Sequence, residues 1–319
     1  MKKRIIAVIA AAAMVMTMTA ACGKKDDAIT VGICQLVQHE ALDAATQGFK
    51  DALTAEFGDK VKFDEQNAAG DSPTCATIIN QFVSDDVDLI LANATAALQA
   101  AAAGTDKIPI LGTSITDYAT ALDIDGWTGV TGKNISGTSD LAPLADQAAM
   151  IQELFPDAKN IGIIYCSAEP NSQYQADVIT ESLTAMGYAV APYTFTDSND
   201  IAAVATNAAS ASDVIYIPTD NTAASNTAVI DAVCLDAKVP VVAGEEGIAR
   251  GCGVATLSIS YYDIGYKAGE MAVDILKNGA DISQMEVEYA PEVTKEYVAS
   301  RCEALGVNVP EGYTALAEE

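Results

Sequence analysis

The side chains able to do chemistry gather in short segments, each placed just after an apolar run. They are Gln35-Leu36-Val37-Gln38-His39, Asn93-Ala94-Thr95, Thr113-Ser114-Ile115-Thr116-Asp117, Ser136-Gly137-Thr138-Ser139-Asp140, Ser167-Ala168-Glu169-Pro170-Asn171-Ser172, Thr219-Asp220-Asn221-Thr222 and Gly244-Glu245-Glu246. Hydroxyls, amides and carboxylates dominate this set, which suits non-covalent capture of a small zwitterion. A carboxylate seeks hydroxyls and the free N–H groups of a helix start, and Thr95, Ser114 and Thr116 are placed to offer them. An ammonium seeks a carboxylate, for which Asp220 and Glu245 are the candidates. Gln35, Gln38, Asp117, Ser139, Asp140, Asn171, Ser172 and Asn221 complete the expected lining. For each residue taken singly, helix capping is the competing role, because Ser, Thr, Asp and Asn are preferred N-caps.

Catalysis has little to stand on. His39 is the single histidine. A pairing with Cys34 or Cys166, both near strand ends, has no third group to support it. There is no Gly-rich phosphate loop, G-x-S-x-G elbow or H-E-x-x-H. Gly244-Glu245-Glu246-Gly247 is too short for a nucleotide fingerprint. No C-x-x-C spacing occurs, so neither a metal site nor a cofactor is expected. The cysteines after Cys22 (Cys34, Cys75, Cys166, Cys234, Cys252 and Cys302) read as small buried thiols rather than a disulfide framework. Trp127, Tyr118, Tyr165, Tyr261 and Tyr262 could stack on an aromatic ligand, although core or hinge packing is the commoner use of such residues.

The elements that must position these loops follow from an internal repeat. Val31-Gly32-Ile33 returns as Ile161-Gly162-Ile163, and Lys107-Ile108-Pro109-Ile110-Leu111-Gly112 returns as Lys238-Val239-Pro240-Val241-Val242-Ala243-Gly244. Apolar strand-like runs at 29–33, 61–65, 89–92, 108–111 and 127–129 alternate with helical runs at 40–56, 72–84 and 96–103. A second series has strands at 160–165, 189–194, 214–217, 239–242 and 254–257. Its helices fall at 141–155, 171–186, 200–209, 222–236 and just after Gly247. Alternation of this kind predicts an α/β fold: two similar doubly wound lobes of parallel sheet, covered by helices on both faces. A long amphipathic helix at 261–278 is expected to cross back onto the first lobe. With the segments at 132–140 and 292–306 it makes a three-crossover hinge. Lobe 1 then comprises 29–136 with 259–290, and lobe 2 comprises 137–258 with 291–319. Ligands in open parallel sheets bind beyond the carboxyl ends of the strands, which puts all the polar loops on one cleft.

Composition narrows the partners. The 319-residue chain is half hydrophobic, ample for two cores, and carries 44 acidic against 17 basic residues, a formal charge of −27. Nucleic-acid binding, which needs clustered cations, is excluded as an expectation. The first 22 residues read as a secretory signal: Lys2-Lys3-Arg4, an apolar run at 5–18 too short to span a membrane comfortably, and Thr19-Ala20-Ala21 before Cys22. The cysteine is placed as in a bacterial lipobox, with Thr19 where Leu is usual. Residues 23–28 are a polar tether. Loss of the three basic residues would take the formal charge to about −30. The expected location is outside the cytoplasmic membrane, held by lipid on Cys22.

The loops as a set also resemble the substrate-binding lipoproteins of a bacterial ABC importer family of tryptophan/tyrosine type. The resemblance is carried by Gln35 to Asp43, Asn67-Ala68-Ala69-Gly70-Asp71, Thr138-Ser139-Asp140, Pro218-Thr219-Asp220-Asn221-Thr222, Ala243-Gly244-Glu245-Glu246 and Tyr261-Tyr262-Asp263-Ile264-Gly265. The family's Ala-Thr-Pro loop is Ala94-Thr95-Ala96 here. The resemblance implies the type 1 periplasmic-binding-protein fold, clamshell closure, and a ligand such as Phe, Trp or Tyr. It further implies a permease and its ATPase as partners, a monomeric binding protein and no enzyme activity. Sugar or nucleoside ligands, and a sensor kinase in place of the permease, remain open from the residues alone. A DNA-binding regulator of the same fold has no headpiece here, and a secreted enzyme lacks a catalytic constellation.

Overall fold

A computed structural model describes residues 28–317. Cys22 and the signal-like segment lie outside the described residues. In chain order the elements are β1 (Ile29–Gln35), α1 (Glu40–Phe57), β2 (Val61–Asn67), α2 (Ser72–Ser84), β3 (Leu89–Asn93), α3 (Thr95–Gly104), β4 (Ile110–Ile115), α4 (Tyr118–Leu122) and β5 (Ile135–Ser139). Then come α5 (Leu144–Leu154), β6 (Asn160–Cys166), α6 (Pro170–Ala185), β7 (Ala189–Phe195), α7 (Ile201–Ala211), β8 (Val214–Ile217), α8 (Asn221–Ala224) and α9 (Thr227–Ala237). The chain closes with β9 (Val241–Ala243), α10 (Glu246–Cys252), β10 (Ala255–Ser258), α11 (Tyr261–Asn278), β11 (Glu288–Tyr289), β12 (Thr294–Tyr297), α12 (Ala299–Leu305) and β13 (Thr314–Ala315).

Two sheets result, ordered β11-β5-β4-β3-β1-β2 and β13-β12-β10-β9-β8-β6-β7. The five principal strands of each run parallel in the same internal order, and β12, with β13 parallel to it, runs antiparallel to β10. Central strands β3 and β4 are buried along their whole length, as continuous apolar runs require when helices cover both faces. The order reverses between β1 and β3 and again between β6 and β8, so each lobe opens a crevice there, at the carboxyl ends of its strands.

The chain passes between sheets after β5, after β10 and after β11. Helix α11 makes the return to lobe 1 and lies against α1 with almost no space between backbones. A Cβ placed on Gly265 would sit 2.0 Å from Ala45 O, and one on Gly48 would sit 2.2 Å from Tyr262 O. Glycine on both helices is therefore what permits the contact. Ser260 starts α11 by accepting the Asp263 N–H at 3.1 Å, and Gly279 ends it with φ of 70°.

The structure departs from the sequence expectations at several points. No strand forms at 127–129. Gly126, Gly129 and Gly132 all adopt positive φ there, and Trp127 instead stacks on Tyr118 at 6.3 Å. The strand beside β4 is β5, so lobe 1 runs on through Ser139, and residues 137–139 belong to its sheet rather than to lobe 2. The helix expected at 222–236 breaks into α8 and α9. Asn226 leaves the helical region at φ −131° and ψ 23°, and its Nδ2 donates at 2.8 Å to Thr222 O, the carbonyl its own backbone N–H would take in a continuing helix. The six described cysteines are all buried as thiols. Among the described residues, no helix is long and apolar enough to cross a membrane.

Candidate functional site

The lobe 1 wall is built on strained backbone. Ala94, between β3 and α3, has φ 88° and ψ 157°, a region almost reserved for glycine. Ser114 has φ 57° where the pairing of β4 with β5 shifts register. Both turns lie where strands hand over to the cleft. Thr95 is buried at the start of α3, and the buried Ser114 Oγ has no hydrogen-bond partner. Beside them, Thr116 donates to Asp140 Oδ1 at 2.9 Å and Tyr261 donates to Asp140 Oδ2 at 3.0 Å. Ser139 Oγ donates to Thr116 O at 3.0 Å, bracing the first crossover.

Lobe 2 offers a wall of buried acids. Asp220 caps α8 by accepting Ala223 N–H at 2.8 Å and takes the Cys166 N–H, at the end of β6, at 2.6 Å. Glu245 caps α10 through the amides of Gly247 and Ile248. Asn171 and Ser172 open α6 and turn toward Thr219 O. Glu169 clamps α8: one oxygen accepts Thr222 N and Oγ1, the other Asn221 N and Nδ2.

The lobes touch across the cleft. Gln175 Nε2 reaches Thr116 Oγ1 at 3.5 Å, and His39 Nε2 lies 3.2 Å from Asn221 Oδ1. The second contact fixes a tautomer. Glu169 can only accept, so Asn221 Nδ2 faces it and Oδ1 faces His39. His39 Nε2 therefore carries the proton, and its buried Nδ1 is left without a partner. Burial pushes the His39 pKa down, against its contact with Asn221 and the nearby Glu169 and Asp43. A cavity of about 390 Å³ runs between the lobes, with Leu36, Val37 and Ala96 on one side and Ala168, Pro170 and Asn221 on the other.

Three carboxylates carry the electrostatics. Burial raises Asp220 to about 7, helped by the charge of Glu169 and opposed by its amide hydrogen bonds. Burial raises Glu245 to about 7 and Asp140 to about 6, again against the hydrogen bonds each accepts. Among the described residues no Lys or Arg is buried. Burial thus shifts these acids toward their protonated forms, with no buried Lys or Arg among the described residues to oppose it.

Of the residues anticipated from sequence, Asn171 and Asn221 line the inter-lobe cavity and the others lie outside its lining. Gln35 spends its amide inside lobe 1, on Asp43, Val37 O and Thr46. Asp117 caps α4 through Thr120 N–H. Gln38 is exposed, on the rim of an outer groove of about 850 Å³. Thr95, Ser114, Thr116, Ser139, Asp140, Asn171, Ser172, Asp220, Asn221 and Glu245 are all buried, on the walls described above. Gln175, which the sequence reading did not single out, joins them through its contact with Thr116. Gln175 had a signal, since it stands one helical turn beyond Asn171 on α6. Asn93 bonds Leu42 O and Thr46, long-range contacts with no local mark.

Comparison with known proteins fits this geometry. A family profile described as ABC transporter substrate binding protein matches residues 30–319. A tyrosine-binding protein of Clostridioides difficile (strain R20291) is 34% identical over 292 residues, 86% of this chain and 84% of that protein. A solved ABC domain from Streptococcus pneumoniae in complex with L-Trp superposes with a TM-score of 0.86 at 29% identity, over 91% of this chain and 100% of the other. The ligand-free, open structure of a substrate-binding protein with adhesive properties from Clostridium difficile gives 0.69 at 35% identity, with the same coverage. The closer superposition on the less identical, ligand-bound structure agrees with the inter-lobe hydrogen bonds: the cleft here is closed. More distant binding proteins, at 12–17% identity, share the type 1 periplasmic-binding-protein fold.

Proposed function

The chain belongs to the ABC transporter substrate-binding protein family, and on that premise we propose that it captures a free aromatic amino acid (tyrosine, tryptophan or phenylalanine) between its lobes and delivers it to a membrane permease driven by an ATPase. The observation that carries the reading is the buried set of Asp220, Glu245 and Asp140 with no buried cation beside it. A ligand ammonium would supply the missing charge, with Asp220 its nearest partner by analogy with other charge-assisted pairs. The opposite pole would meet Ser114 Oγ and Thr95, beside the strained turns at Ala94 and Ser114. The side chain would extend into the cavity between Leu36 and Pro170. The relatives that bind tyrosine and tryptophan support this class of ligand over sugars and nucleosides.

Members of this family act outside the cytoplasmic membrane. Lys2-Lys3-Arg4, the apolar run and Cys22 support secretion and a lipid anchor on Cys22, with a monomer as the working unit. Binding without turnover is the role, with closure presenting the shut face of the lobes to the permease.

Thermal unfolding of the chain from Gly23 onward, scanned against the twenty amino acids, several sugars and nucleosides, tests the ligand class. A ligand at a hundred times its Kd stabilises the native state by about 2.7 kcal/mol. Shifts confined to Tyr, Trp or Phe are expected. A shift with a sugar or nucleoside alone would overturn the assignment.

A further inference from the structure

Closing this cleft brings acidic surfaces together. Glu40 and Asp43 stand on lobe 1, and Glu169, Glu245 and Glu246 on lobe 2, in a chain with 44 acidic and 17 basic residues. Among the described residues, Arg250 brings a cation to the seam. Arg250, on α10 of lobe 2, places Nε 2.9 Å from Oε1 of Glu40, the first residue of α1 in lobe 1. The pair is an ionic contact, out of line for a hydrogen bond. The remaining guanidinium nitrogens are held within lobe 2, one by Glu246, a turn earlier on the same helix, and one by the carbonyl of Ala317. The helix starts abut at this point, since a Cβ on Gly247 would lie 3.4 Å from Glu40 Cβ. The neighbouring residue, His39, makes the contact with Asn221.

We propose that Arg250 is a closure latch: a lobe 2 cation, oriented by its own lobe, that captures Glu40 as the cleft shuts and so sets the closed fraction of the binding site. The proposal rests on the reading that this site opens and closes around its ligand. Glu246 and Ala317 lie on the same lobe as Arg250 and move with it, so opening breaks only the Glu40 contact. The guanidinium is therefore already ordered when the lobes meet, and little conformational entropy is lost on pairing. The Arg250 and Glu40 side chains are 30% and 54% exposed, so salt screens the latch and its strength is that of a surface pair.

Inter-lobe distances measured by pulsed electron resonance, with one spin label on an exposed position of each lobe, test it without any ligand. The variants are Arg250→Gln, Glu40→Gln and the double, each first shown to unfold cooperatively near the wild-type temperature. At low salt, either single variant is expected to lower the ratio of closed to open molecules about two- to fivefold. The double should do no more than either single. Sodium chloride at about 1 M, where the Debye length is about 3 Å, should abolish the difference between the wild type and the variants. Wild-type-like distances in Arg250→Gln, an effect of Arg250→Gln that Glu40→Gln does not share, or a wild type that is open at every salt concentration would each overturn the latch. Adding L-tyrosine and L-tryptophan to the same samples tests the parent reading separately. Distances that ignore both ligands would sink the ligand assignment, while the ligand-free distances still judge the latch.

Discussion

Asp220 is a helix cap that we also propose as a ligand group. Its oxygens are tied to the amides of Cys166 and Ala223, which hold it in place, while burial and Glu169 keep its pKa near 7. In the unfolded chain the group titrates near the ordinary carboxylate value of 3.8. Between these values the native state binds a proton that the unfolded state lacks. The stabilisation is complete below pH ~4 and is lost as pH rises toward 7, at up to about 1.4 kcal/mol per pH unit for each such group. Glu245 behaves in the same way. Denaturant titrations of the ligand-free protein should therefore show stability falling from pH 4 to 7, with a shallower slope in Asp220→Asn. A stability that rises across this range would contradict the assigned environments. Sequence made Asp220, Asn221 and Glu245 visible because each follows a strand and precedes a helix. It could not separate Gln35, whose amide is spent inside lobe 1, or Asp117, a helix cap like Asp220 and Glu245 but only partly buried. That distinction depends on which neighbours the fold supplies, Asp43 and Thr46 for one and the Thr120 amide for the other.

At the level of elements, the crossing of α1 and α11 fixes where the chain returns to lobe 1, and it depends on Gly48 and Gly265. With a Cβ only 2.0 Å from the Ala45 carbonyl, Gly265→Ala must push the helices apart. It should cost about 3 kcal/mol or more, at the upper end of overpacking effects, and chemical denaturation would measure it. Gly279→Ala, where space is open and only the positive φ resists, should cost about 1 kcal/mol. If the two variants lost equal stability, close packing would not be what Gly265 serves. The alternation of strands and helices was legible because each strand is a continuous apolar run and each helix carries a periodic apolar face. The break between α8 and α9 was not, because the apolar pattern continues through it and Asn226 alone leaves the helical region, with its side chain on Thr222 O. The missing strand at 127–129 had a readable warning in its flanking glycines.

For the whole molecule, the internal repeat foretold two lobes and a cleft, and both sheets have the same central order. What the repeat left unspecified is how far the lobes shut. That depends on contacts between residues distant in sequence, such as His39 with Asn221, Thr116 with Gln175 and Glu40 with Arg250. In the closed form the buried acids favour their protons and Ser114 Oγ has no partner. On the proposed reading an amino acid would complete both. Its ammonium would ionise Asp220, so binding near neutral pH must release protons to the buffer. The most direct test is titration calorimetry of L-tyrosine, L-tryptophan and L-phenylalanine at pH 7, in two buffers of different ionisation enthalpy, with the wild type and Asp220→Asn. The account predicts one ligand per chain and a buffer-dependent heat that reports proton release. In Asp220→Asn, affinity should fall roughly tenfold or more, as for loss of a hydrogen bond to a charged group, and the buffer dependence should shrink. Binding of equal strength and equal buffer dependence in both proteins, or no binding of any of the three amino acids, would contradict it.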